Sequence, residues 1–154
     1  MDNIITGQSY RREHDVVVAN KVICTISYNP KSELFGRNVA RLLQALSGLA
    51  KTRNIKIPDL PNLPEEENGA ADEQREAFAD ALERAAEPLG KFADAYDVFI
   101  AAADKIGGCG VTEAILDEDD EKLTLFSKAF APIFEEYNKQ RRAKTNKYRA
   151  NPQV

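Results

Sequence analysis

Tryptophan is absent from the 154 residues, histidine and methionine occur once each, and cysteine twice. A single histidine, His14, excludes histidine-rich metal sites and leaves any nucleophile–histidine pair dependent on that one ring. Cys24 lies in a β-branched run and Cys109 in a glycine cluster, at no metal-binding spacing. They read as two reduced, structural thiols. No apolar run approaches the ~18 residues that cross a membrane. The opening stretch MDNIITGQSYRREHD lacks the apolar centre of a signal peptide, which predicts a chain that is not exported.

Catalytic motifs are missing too. GGCG at 107–110 follows a helical pattern rather than a strand and lacks the Lys-Ser/Thr of a phosphate loop. There is no GxSxG, HExxH or paired CxxC. Carboxylates are plentiful, but most fall on polar helix faces, where solvation is their ordinary role. The expectation is a protein without catalytic residues, cofactor or metal.

Charge is abundant and unevenly placed. Residues 139–154 carry Lys139, Arg141, Arg142, Lys144, Lys147 and Arg149 and no acid. Removing these six from the net −4 leaves residues 1–138 at about −10, so an acidic body ends in a basic segment. Glu65–Glu67 and Asp117–Glu121 are the acidic runs. The second suits a helix start, where negative charge is favoured. As a cation site it lacks the spaced ligands and turn glycine of an EF-hand loop.

The hydrophobic pattern predicts an α+β fold, mostly α, with a small N-terminal β-hairpin and a bundle of about four helices in a single domain. Val16–Val18 and Val22–Tyr28 are strand-like, and Val22, Cys24, Ile26 and Tyr28 alternate as a half-buried strand does. A hairpin over 14–28 follows, turning at Asn20-Lys21. Asn29-Pro30 ends it. Ser32 caps a first helix over 33–52, with Glu33 in its first turn and Phe35, Val39, Leu42, Leu46 and Leu49 as its seam.

Pro58, Pro61 and Pro64 recur every three residues within a strap over 54–69, favouring extended polyproline geometry. The interleaved Ile55, Ile57, Leu60 and Leu63 would let it lie along a groove.

A kinked helix or helix pair spans 71–106, interrupted at Pro88 and stopped by the glycine cluster. A short helix over 112–117, capped by Thr112, precedes a last helix over 120–145. That one carries the stripe Leu123, Phe126, Phe130, Ile133 and Tyr137 and a kink at Pro132.

The longest regular feature is the stripe Phe78, Leu82, Ala85, Leu89, Phe92, Tyr96, Phe99, Ala103 and Ile106. Steps of four and three keep all nine on one face, since two helical turns take about seven residues. Such a stripe is either core or a seat for another amphipathic helix. Phe78, Leu82, Leu89, Phe92, Tyr96 and Phe99 are the candidate contacts with a partner. The basic end offers Arg141, Arg142, Lys144, Lys147 and Arg149, with Tyr148 able to stack on a base. Exposed strands and a kinked apolar helix also leave surfaces for self-association.

YDVFIAAADKIGGCGVTEAIL, an acidic turn, and LFSKAFAPIFEEYNKQRRAKTNKYRANP together resemble the C-terminal part of the tail assembly chaperones of long-tailed bacteriophages. Those proteins share a helix, a glycine-centred break like Gly107–Gly110, and a closing helix that ends in basic residues, here Lys144, Lys147, Tyr148, Arg149 and Asn151. A hairpin followed by SYNPKSELFGR suits the family's N-terminal part, whereas the proline strap departs from its pattern.

The resemblance implies a chaperone in the cytoplasm of an infected bacterium. It would keep the helices of a tape-measure protein soluble during tail assembly and recruit tail-tube subunits. Two other readings compete: a small phage regulatory protein bound to nucleic acid through its basic segment, and an inhibitor of a host factor with a nucleic-acid-like acidic surface.

Overall fold

A computed structural model describes residues 7–54, 71–120 and 122–150. The proline strap therefore lies outside the described residues. The described residues form a two-stranded antiparallel hairpin and four helices, the expected α+β class. The strands are β1 (Arg12–Val18) and β2 (Lys21–Tyr28). The helices are α1 (Phe35–Thr52), α2 (Ala71–Gly107), α3 (Val111–Glu118) and α4 (Thr124–Ala150).

The chain divides into two compact units. One holds the hairpin, the first half of α1, the end of α2, α3 and α4; the other spans Gln44–Phe99.

The hairpin turns at Ala19-Asn20, one residue before the expected Asn20-Lys21. Both have positive φ, 50° and 64°, the double left-handed geometry that matches the twist of paired strands. Pairing runs Arg12↔Tyr28 through Val16↔Cys24, then shifts to Val17↔Val22, leaving Ile23 as the extra residue of a bulge. The bulge reverses the alternation. Ile26 and Tyr28 are buried as expected, but Val22 joins Val17 on the open face, 57% and 54% exposed.

Asn29 Oδ1 accepts from the Lys31 amide and Ser32 Oγ from the Leu34 amide, so a polar turn leads into α1. The helix starts at Phe35, which leaves Glu33 ahead of it. Phe35, Val39, Leu42, Ala45 and Leu49 are buried, while Leu46 is only half-buried.

Pro88 sits inside α2, which continues unbroken through it. Pro132 is likewise internal to α4.

Gly107 and Gly108 end α2. A Cβ on Gly107 would stand 3.2 Å from the Phe130 ring and 3.4 Å from Ile26. Gly108 and Gly110 take φ of 119° and 80°, open to glycine at little cost. The expected cap, Thr112, lies inside α3 and is fully buried, its hydroxyl unpartnered. Asp104 does the capping from α2: its carboxylate accepts from the amides of Gly110 (3.2 Å) and Thr112 (3.0 Å).

The acidic run is divided in the same way. Asp117 and Glu118 close α3, and α4 begins at Thr124 rather than 120. Asp119 reaches forward to the amides of Leu125 (2.8 Å) and Phe126 (3.0 Å), satisfying donors that the first turn cannot pair internally. Leu123, expected in the α4 stripe, precedes the helix at φ 54°.

In this unit α3 packs on β2 and α4. Tyr28 stacks on Phe35 at 6.2 Å and Phe126 on Phe130 at 4.4 Å, forming the aromatic part of the core. Arg12 pairs with Glu136 at 3.3 Å, and the Gln140 amide donates to the Pro30 carbonyl at 2.6 Å. These contacts tie α4 to the open end of the hairpin, where β1 begins and β2 ends.

Candidate partner-binding surface

The α2 stripe is not uniformly covered. Ala85 is 1% exposed and Phe99 fully buried, yet Leu82 and Leu89 are 41% and 37% exposed. Phe78, Phe92 and Tyr96 are half-buried. Phe92 meets Tyr96 edge-on at 4.9 Å, and Tyr96 meets Phe99 at 6.4 Å, giving the C-terminal half of the stripe an aromatic ladder.

Alanines flank the stripe on both sides. Ala79, Ala86 and Ala93 are exposed, whereas Ala81 and Ala95 on the other flank are half-buried. The open seam is therefore Leu82–Ala86–Leu89–Ala93. Small residues between leucines let a second helix approach closely. Periodicity finds the row but not its flanks, because alanine contributes weakly to an apolar pattern and suits either face of a helix.

The basic end behaves differently. Arg141, Arg142 and Lys144 are exposed on α4, with the Arg141 guanidinium 5.7 Å from the centre of the Tyr137 ring. The side chains of Lys147, Tyr148 and Arg149 lie outside the described residues. An open hollow of about 420 Å³ beside this segment is lined by Glu135, Asn138, Lys139, Arg142 and Ala143.

A polar cluster joins β1 to α4. The Tyr28 hydroxyl stands 3.2 Å from His14 Nε2. The Arg12 guanidinium is shifted upward, first by hydrogen bonding with Tyr28 and then by the charge of Glu136. An arginine raised further stays charged at every accessible pH, so Arg12 is a fixed cation beside Glu136.

A second hollow of about 250 Å³, with Arg11, Ser32, Asn38 and Lys105 on its wall, also touches Asp104. That carboxylate is committed to the α3 amides. Burial pushes the Cys24 thiol up, disfavouring the thiolate that nucleophilic chemistry needs. Among the described residues, no group of three or more histidines, cysteines and acids is placed to hold a metal ion. No helix among them is long and apolar enough to cross a membrane. Compared with protein-family models, curated proteins and solved structures, the chain finds no match in any of the three.

Proposed function

We propose that this protein is a non-enzymatic assembly chaperone that shelters the apolar face of a helical partner on α2. The resemblance of its C-terminal part to phage tail assembly chaperones makes the partner a tape-measure-type protein. The supporting observation is the half-open stripe, where Leu82 and Leu89 stand exposed in register with buried Ala85. A row of this kind gives another amphipathic helix anchors at successive turns.

The test is co-expression with an otherwise insoluble helical tail protein. The chain brings that protein into the soluble fraction, and Leu82→Asp with Leu89→Asp abolishes the effect. Equal solubilisation by the double variant would remove α2 from the account.

The exposed Arg141, Arg142 and Lys144 favour a second reading, contact with nucleic acid. It requires a salt-sensitive shift of DNA or RNA that disappears on deleting residues 139–154.

A further inference from the structure

From the charges beside the open seam of α2, we infer that its occupant is an amphipathic helix flanked by lysine or arginine. This rests on the proposed helix-docking role and names the chemistry of the partner. In an α-helix the residue after each seam residue turns about 100° away and borders the seam. Glu83, Glu87 and Asp94 follow the seam residues Leu82, Ala86 and Ala93 on that border. Glu76 and Asp97 share it, one heptad before and two heptads after Glu83, and Asp80 lies just beyond; all six are exposed. Arg75, one heptad before Leu82, is exposed at the N-terminal end of the seam line, whereas Arg84 and Lys91 lie on the far flank. Acids therefore outnumber cations along the seam. Lys91 is further engaged with Glu87 at 3.5 Å.

The sign of these rows decides among occupants. A second α2 would bring acid against acid along the seam, which is destabilising. The strap at 54–69 carries Asp59, Glu65, Glu66 and Glu67 against one Lys56, so it meets the same repulsion. The C-terminal part of α4 has the right charge but lacks leucine, isoleucine, valine and phenylalanine from Asn138 to Ala150. It cannot cover Leu82 and Leu89. A helix with its own apolar row and basic borders satisfies both demands.

Two synthetic helices of about 21 residues, three heptads, test this against the full-length protein by calorimetry. They share one leucine stripe and differ in carrying lysine or glutamate beside it. The lysine helix is expected to bind roughly tenfold more tightly, the effect of two or three exposed ion pairs. The preference should shrink as salt is raised. It should reverse in the variant Glu76→Lys, Glu83→Lys, Asp97→Lys, whose fold is checked by circular dichroism. Equal binding of both helices, or preference for glutamate, overturns the inference and leaves helix docking standing. Binding of neither overturns both. Self-association by light scattering that Leu89→Asp abolishes would assign the face to a second copy and also overturn it.

Discussion

Ala19 occupies a left-handed position that costs a non-glycine residue roughly 1–2 kcal/mol. Replacing the pair by Ala19→Asn with Asn20→Gly matches the two positive φ values, and should raise stability by about 1 kcal/mol, read as a higher urea midpoint. Gly107 is the opposite case. Alanine there gains helix propensity but presses on Phe130, which is fully buried and stacked on Phe126. Overpacking of this kind costs about 1–3 kcal/mol, more than the ~1 kcal/mol of propensity. Gly107→Ala should therefore lower the melting temperature. The two thiols also separate at this scale. Cys109 is exposed, while Cys24 is half-buried with its thiol shifted up. Raising a thiol's pKa moves its thiolate to higher pH, so iodoacetamide at pH 8 should label Cys109 first. Equal rates, followed by mass spectrometry, would contradict the burial of Cys24.

At the scale of elements, Pro88 is the informative residue. A proline inside a helix removes one hydrogen bond and crowds the preceding turn, costing about 3 kcal/mol. α2 runs on through it because the rows on either side stay in phase, from Ala85 to Leu89. Pro88→Ala should stabilise the protein by about 1–3 kcal/mol in thermal melts. No gain would mean that a neighbouring side chain depends on the distortion. The helix ends follow another rule. Asp104 and Asp119 cap α3 and α4 from several residues upstream, where a search for adjacent serine or threonine caps points to Thr112 instead.

For the molecule as a whole, the question is which parts of one stripe are interior. Ala85 and Leu89 are a helical turn apart on the same row, yet one is sealed and the other 37% exposed. An aspartate at Ala85 buries an unpaired charge and should unfold the unit. Leu89→Asp should shift stability by about 1 kcal/mol or less while abolishing partner binding. Thermal melts of both variants beside the co-expression assay separate a folding role from a docking role.

Helix and strand order was legible in the residues because periodicity, glycine and proline act within a few positions of themselves. The steps of four and three, the break at Gly107–Gly110 and the alternation of Ile26 with Tyr28 are signals of this local kind. The bulge at Ile23 that turns Val22 outward, the capping by Asp104 and Asp119, and the open half of the α2 row came from the folded chain. Each depends on what stands across from a residue, and burial is a property of neighbours brought together from distant parts of the chain.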